Sequence, residues 1–155
     1  MPDFVTITID DVEYKVPNGM LLTDAAKEAA DIDIPVFCSH PKLDPLGACR
    51  MCLVEQDVRG RWTIVPACTT RVAEGLKFRY ASEAATQARE DTLEFILINH
   101  PLDCPICDKG GECPLQDQTL KHGPGASVFE EIKTHKQKQY PISDLIMLDQ
   151  ERCII

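Results

Sequence analysis

Residues 100–113 have the sequence HPLDCPICDKGGEC, which holds four residue types that commonly bind metals, at His100, Cys104, Cys107 and Cys113. A proline directly follows three of the four, and a residue that precedes proline is pushed towards extended backbone. The stretch therefore predicts a stiff loop rather than a helix. Gly110 and Gly111 have no Cβ atom, so backbone amides here can approach a bound group closely. We interpret this loop as the binding site of an iron–sulfur cluster.

A second set of cysteines precedes this loop. Ten residues separate Cys38 from Cys49, two separate Cys49 from Cys52, and fifteen separate Cys52 from Cys68. The interval 39–48 contains two prolines and a glycine, which favours a loop folded around a bound group over four inert buried thiols. Four thiolates suit zinc as well as an iron–sulfur cluster, so the residues alone leave both metals open.

Composition limits the class of protein. The chain has 155 residues, 44% of them hydrophobic and 26% charged, which is typical of one or two soluble globular domains. A net charge of −9 argues against nucleic-acid binding, and we interpret the one basic cluster, Lys133, Lys136 and Lys138, as solvated surface. No apolar run is long enough to span a bilayer, and the first residues do not resemble a signal peptide. Eight cysteines without an export signal favour metal or redox chemistry over disulfides.

The first half is predicted to form a small sheet with one helix. Alternating apolar residues at 4–9 and 12–16 predict a β-hairpin, and residues 22–30 predict a helix with Thr23 or Asp24 as its N-cap. Further strands are expected at 51–55, 62–65 and 76–80. Two strands followed by a helix across them begin a β-grasp sheet, so we expect an α+β fold.

The second half is predicted to be helical with long loops. A helix is expected after an N-cap at Ser82, and a shorter helix is expected at 114–122, ended by Gly123. The buried face of the longer helix is predicted to comprise Ala85, Ala88, Thr92, Phe95 and Ile96, widened by Leu93 and Leu97. We expect domains at 1–80 and 81–122, followed by a linker at 123–155.

Two resemblances sharpen these expectations. Residues 1–80 resemble the plant-type and adrenodoxin-like [2Fe-2S] ferredoxin family, although the first cysteine interval is ten residues here against four in the plant-type pattern. The spacing His100-x3-Cys104-x2-Cys107-x5-Cys113 resembles the iron–sulfur G-subunit family of NADH:quinone oxidoreductase, respiratory complex I. That family joins a ferredoxin-like domain with a long cysteine loop to a histidine-ligated [4Fe-4S] site, in the order found here.

The resemblance implies two clusters. Cys38, Cys49, Cys52 and Cys68 would bind one [2Fe-2S] cluster, and His100, Cys104, Cys107 and Cys113 would bind one [4Fe-4S] cluster. It also implies that Cys153 opens a further cysteine motif of a longer subunit, of which this chain would be a fragment.

The implied function is electron transfer from NADH and flavin towards quinone within a proton-translocating complex. The expected partners are the other peripheral-arm subunits, including the flavin- and NADH-binding subunit, on the cytoplasmic side of the inner membrane. No nucleotide-binding glycine motif occurs in the chain, so we expect no catalytic site of its own. Two alternatives stay open: an electron-input module of an iron-only or NAD-linked hydrogenase or a formate dehydrogenase, and a zinc-stapled interaction module.

Overall fold

Alternation of apolar residues builds the first two strands as predicted. The computed structural model describes residues 3–154, in which β1 (Phe4–Ile9) pairs antiparallel with β2 (Val12–Pro17). Val5, Ile7 and Ile9 are buried because alternate residues of a strand face the same side of a sheet. They form part of the core of the first of two compact units, Met1–Arg89 and Glu90–Ile155.

Helix α1 (Leu22–Ala30) packs on this sheet through Leu22, Ala25 and Ala26, all buried. Its bounds match the prediction, but the predicted N-cap at Thr23 or Asp24 is wrong. The N-cap is Leu21, which makes no side-chain capping hydrogen bond. The backbone of a later segment supplies the missing partner instead, because the N–H of Leu22 donates to the Thr70 carbonyl at 2.8 Å.

Three further strands complete a five-stranded sheet: β3 (Leu53–Val58), β4 (Arg61–Pro66) and β5 (Lys77–Arg79). The strand order is β2-β1-β5-β3-β4, with β1 and β5 parallel and the other neighbours antiparallel. A mixed sheet crossed by a helix confirms the predicted α+β class. The predicted start of β3 at residue 51 is wrong by two residues, because residues 51 and 52 form a turn.

Helix α2 (Glu83–Leu97) begins as predicted, since the N–H of Ala85 donates to Ser82 Oγ at 3.2 Å. Its predicted buried face is right at Ala85 and wrong at Phe95, whose exposed fraction is 77%. The fully buried positions are Ala85, Arg89 and Leu93, spaced four residues apart on one helix face. Phe95 lies two residues beyond Leu93 and therefore points away from that face.

Arg89 is buried because its guanidinium is hydrogen-bonded. Its Nη1 and Nη2 atoms donate to the carbonyls of Leu53 and Tyr80 at 3.1 and 3.0 Å, and the guanidinium stacks 4.4 Å from the Tyr80 ring. Leu53 directly follows Cys52, so Arg89 also fixes the backbone beside a predicted ligand. The buried face of α2 thus includes a charged residue at a position where an apolar residue would be usual.

Arg89→Met is expected to lower the free energy of unfolding by about 2 to 4 kcal/mol, because the carbonyls of the half-buried Leu53 and Tyr80 lose their charged donor. Unfolding of the full chain in denaturant is followed by the fluorescence of Trp62, the single tryptophan. Arg61→Met, at an exposed position of β4, is the matched control and should change stability little. Equal losses in the two variants would contradict a structural role for the buried guanidinium.

The second unit has little regular structure after α2. Helix α3 (Pro114–His122) confirms the predicted short helix and has Gly123 at its C-cap. A small hairpin, β6 (Tyr140–Pro141) and β7 (Met147–Leu148), lies within the stretch predicted as a linker. The domain boundaries at 80 and 122 stay a prediction. No helix within residues 3–154 is long and apolar enough to cross a bilayer.

Candidate metal centres

Strand pairing brings the two buried thiols of the first cysteine set together. Cys52 directly precedes β3, and Cys68 lies in a single 3₁₀ turn, Ala67–Thr69, directly after β4. Leu53 pairs with Pro66, so the start of β3 and the end of β4 are adjacent, and the Ala67 N–H donates to the Cys52 carbonyl at 3.0 Å. Cys52 and Cys68 are each 1% exposed. The β3–β4 hairpin thus brings Cys68 back beside Cys52.

The other two thiols of this set belong to the loop that leads into β3. The N–H of Cys49 donates to Cys38 Sγ at 3.3 Å. Burial would raise the pKa of the Cys38 thiol, but hydrogen bonds from Cys49 and Ala48 outweigh it and hold this pKa below its ordinary value. Amide donors of this kind stabilise a thiolate and also tune cluster potentials.

The Cys68 thiol interacts with each of the other three thiols of the set. Burial, reinforced by a hydrogen bond to Cys52, raises the pKa of the Cys68 thiol to about 12. Negative charge on Cys52, Cys38 and Cys49 raises it further. Ionisation of Cys68 beside the other three thiols is therefore unfavourable unless a bound cation offsets the negative charge, as a metal does when it deprotonates its coordinating thiols. The donor set fits a metal or an iron–sulfur cluster.

Gly47 allows the loop to pass close to the 3₁₀ turn that carries Cys68. Its φ is +67°, and a Cβ atom at this position would lie 3.0 Å from Thr69 Cγ2. Arg50, between Cys49 and the turn, also has a positive φ of 60°. The backbone around the thiols is thus held in conformations that most residues avoid.

Gly47→Ala is expected to lose most of the metal bound at the first cysteine set, because the added methyl displaces the neighbour of Cys68. Gly60→Ala is the matched control, since Gly60 has a φ of +82° and open space around it. Both variants should lose about 1 to 2 kcal/mol of stability from the left-handed backbone. Iron content and the EPR spectrum separate them, and equal metal loading would contradict a role for the close contact.

The second ligand set lies on successive turns between α2 and α3. The His100 N–H donates to the Leu97 carbonyl at 3.2 Å, which ends α2, and Cys113 is the N-cap of α3. Between them, Cys107 N–H donates to the Cys104 carbonyl at 3.3 Å. The prediction of a loop without helix is wrong for the single 3₁₀ turn Cys104–Ile106, which this hydrogen bond closes. Cys104 is exposed, and Cys107 and Cys113 are half-buried.

The glycine pair lets two turns of the backbone lie close together, while the predicted approach to a bound group stays a prediction. The Gly110 N–H donates to the Cys107 carbonyl at 2.9 Å, and a Cβ atom on Gly110 would lie 2.5 Å from the Cys104 carbonyl oxygen. Gly111 has a φ of +87°, and its N–H donates to Gln116 Oε1 on α3 at 3.0 Å. Helix α3 therefore braces the ligand loop.

His100 has the charge state that a ligand needs. Burial lowers its pKa, and the positive charges of Lys133 and Arg152 lower it further, against the opposing effect of Asp103 and Asp149. A neutral imidazole presents a free nitrogen lone pair to a metal. Lys133 and Arg152 were not expected near the site from sequence, and the interpretation of Lys133 as solvated surface is wrong: its Nζ binds the Leu97 and Ile98 carbonyls, each at 2.9 Å.

Over residues 3–154, no three His, Cys, Asp or Glu side chains converge closely enough to hold one metal ion. All eight cysteines lie in the described part of the chain, and none of them is in a disulfide.

Two family profiles match the chain. A profile described as "2Fe-2S iron-sulfur cluster binding domain" matches residues 3–83, more than half of the 155 residues. A profile described as "NADH-ubiquinone oxidoreductase-G iron-sulfur binding region" matches residues 89–127, which include His100 and the three cysteines of the second set. The profiles thus indicate a 2Fe-2S region followed by a 4Fe-4S region.

Curated relatives and a solved structure agree with the profiles. The G subunit of NADH-quinone oxidoreductase from Streptomyces coelicolor is 48% identical over 99% of this chain and 18% of its own length. The mitochondrial NADH dehydrogenase [ubiquinone] iron-sulfur protein 1 of Solanum tuberosum is 44% identical over 84% of this chain and 17% of its own length. A crystal structure of an NAD+-reducing [NiFe]-hydrogenase matches with a TM-score of 0.80 and 32% identity, covering 97% of this chain and 62% of the matched chain.

These findings confirm both predicted resemblances. The chain spans less than a fifth of the length of the Streptomyces relative. It belongs to the family of 2Fe-2S iron-sulfur cluster binding domains, and over nearly its whole length it is similar to the N-terminal region of the G subunit of NADH-quinone oxidoreductase.

Proposed function

We propose that this chain is an electron-relay module of an NADH:quinone oxidoreductase with two clusters. One [2Fe-2S] cluster is bound by Cys38, Cys49, Cys52 and Cys68, and one [4Fe-4S] cluster is bound by His100, Cys104, Cys107 and Cys113. The observation that carries the proposal is the placement of four thiols at the end of the β3–β4 hairpin and in the loop that leads into it, where the buried Cys68 is hydrogen-bonded to Cys52 and the Cys49 N–H donates to Cys38 Sγ. The match of residues 89–127 to an iron–sulfur region supports the second site.

When bound, each cluster supplies a one-electron carrier. The chain's residues hold it, exclude water and set its potential. Burial of Cys52 and Cys68 keeps solvent from one side of the first site, and the Cys49 amide stabilises negative charge on Cys38. At the second site, a neutral His100 takes the place of a thiolate, so the ligands carry one negative charge fewer. This favours the reduced state of the cluster.

We further propose that NADH oxidation takes place in a flavin-containing partner and that this chain passes the electrons towards quinone. The partners are the other subunits of the peripheral arm, on the cytoplasmic side of the inner membrane. The complex as a whole translocates protons, and this chain has no catalytic site of its own. The names of the relatives, which are subunits of NADH-quinone oxidoreductases, support this assignment.

Iron and acid-labile sulfide analysis of the anaerobically purified full chain tests the proposal. We expect about six iron and about six sulfide per chain, with two EPR signals after reduction. Zinc in both sites without sulfide would instead make the chain a zinc-stapled interaction module.

An electron-input module of a hydrogenase is the second candidate, because the matched hydrogenase structure covers nearly the whole chain at 32% identity. The Streptomyces relative is more similar, at 48%. Affinity purification of the tagged protein from its own cells separates the two candidates, since a flavin-containing NADH:quinone reductase should co-purify rather than a hydrogenase.

A further inference from the structure

The segment 133–152, which we call the charged clasp, contacts the end of α2 just before His100 through its first residue and the loop 100–113 of the second site through its last residue. At one end, Lys133 Nζ donates to the carbonyls of Leu97 and Ile98, each at 2.9 Å. The His100 N–H shares the Leu97 carbonyl. Carbonyls at the end of a helix carry partial negative charge, so the ammonium of Lys133 neutralises the helix end that faces His100.

At the other end, Arg152 reaches the residue before Cys104. Its Nη2 lies 3.2 Å from Asp103 Oδ2, and its Nε lies 3.4 Å from Asp149 Oδ2. Only 25% of the Arg152 side chain is exposed, so water screens its charge incompletely. The guanidinium also interacts electrostatically with the side chains of Cys107 and His100.

Ion pairs link the clasp to Asp103 and to its own carboxylates. Lys138 Nζ binds Asp103 Oδ2 at 2.8 Å and Glu151 Oε2 at 3.1 Å, and the Glu151 side chain is 2% exposed. Asp103, Asp149 and Glu151 thus form ion pairs with Lys138 and Arg152, whereas Lys133 binds helix-end carbonyls, and the exposed His135 lies beside Glu151. Removing one cation leaves an uncompensated negative charge beside the ligand loop, and removing one carboxylate leaves an uncompensated positive charge there.

We propose that Lys133 and Arg152 tune the second site, raising the reduction potential of the cluster bound by His100, Cys104, Cys107 and Cys113. This inference rests on the proposed function. Reduction adds one electron to the cluster, and a nearby, partly buried positive charge stabilises the added negative charge. Neither residue is a ligand; each acts through its charge at the edge of the ligand loop.

A redox titration followed by EPR, on the full chain with both clusters in place, tests this inference. Lys133→Gln and Arg152→Gln should each shift the midpoint potential of the [4Fe-4S] cluster to a more negative value. Asp103→Asn should shift it to a more positive value. The midpoint of the [2Fe-2S] cluster in the same sample is the internal reference and should not move.

The charge-preserving variants Lys133→Arg and Arg152→Lys are matched controls, and their midpoint potentials should stay close to that of the parent protein. A purely structural clasp would give shifts of the same sign, or none, in Arg152→Gln and Asp103→Asn, and either result would overturn the inference. Iron and sulfide are measured for every variant. If one of the two glutamine variants does not bind the [4Fe-4S] cluster, the direction of the midpoint shift in the other glutamine variant tests the inference. Zinc without sulfide in the parent chain contradicts the proposed function itself, whereas loaded clusters with unmoved midpoints contradict only the tuning.

Discussion

Gly110→Ala is expected to abolish the [4Fe-4S] cluster and to leave the [2Fe-2S] cluster in place. The added methyl would lie 2.5 Å from the Cys104 carbonyl oxygen and 3.1 Å from the Cys107 carbonyl oxygen. Both contacts are with backbone, which cannot rotate away as a flexible side chain does. The two turns that carry Cys104 and Cys107 must therefore move apart, and with them two of the four proposed ligands.

The measurement is the iron and sulfide content of the full chain, with EPR of the reduced protein. We expect iron to fall from about six to about two atoms per chain, with only the [2Fe-2S] signal retained. Gly125→Ala is the matched control in the same unit, because a Cβ atom there meets nothing within 4 Å. Gly111→Ala tests backbone strain without a steric clash, because Gly111 has a φ of +87° but a Cβ atom there would meet nothing within 4 Å.

Gly111→Ala should weaken the site by about 1 to 2 kcal/mol of backbone strain without abolishing it. A Gly110→Ala protein that keeps about six iron atoms would show that the contact with Cys104 is not needed for the proposed cluster.

Local patterns explain why much of the first unit is predictable from sequence. Alternation of apolar residues gives β1 and β2, because period-two burial is a property of the strand itself. Ser82 caps α2 through a hydrogen bond to a residue three positions away, which is also local. The spacing of the cysteines likewise divides them into two predicted ligand sets, since every interval is read along the chain.

Contacts between distant residues explain the errors. Leu21 replaces the predicted N-cap of α1 because the Thr70 carbonyl, far along the chain, accepts the Leu22 N–H. Arg89 occupies a core position because the carbonyls of Leu53 and Tyr80 meet its guanidinium there. Lys133 and Arg152 come to the second site in the same way, through partners more than thirty residues distant. A charged residue in a sequence does not reveal whether such partners exist.

His100→Cys is expected to retain a [4Fe-4S] cluster while lowering its midpoint potential by on the order of 100 mV. A fourth thiolate adds one negative charge to the ligand set, so the cluster accepts a further electron less readily. The imidazole of His100 is kept neutral by burial and by Lys133 and Arg152, so in the parent protein it contributes no charge of its own. The difference between the two proteins is therefore close to one full charge at the same position.

The same titration separates ligation from a structural role for His100. His100→Ala removes the donor and should yield a cluster that is incomplete or lost, whereas His135→Cys changes a histidine bound to Glu151 and should leave the potential unchanged. An unshifted or raised midpoint in His100→Cys would show that His100 does not bind the cluster, because replacing a neutral ligand by a thiolate can only lower the midpoint potential. A lowered midpoint together with a lost cluster in His100→Ala requires direct ligation, since a residue that merely ends α2 would change stability rather than potential.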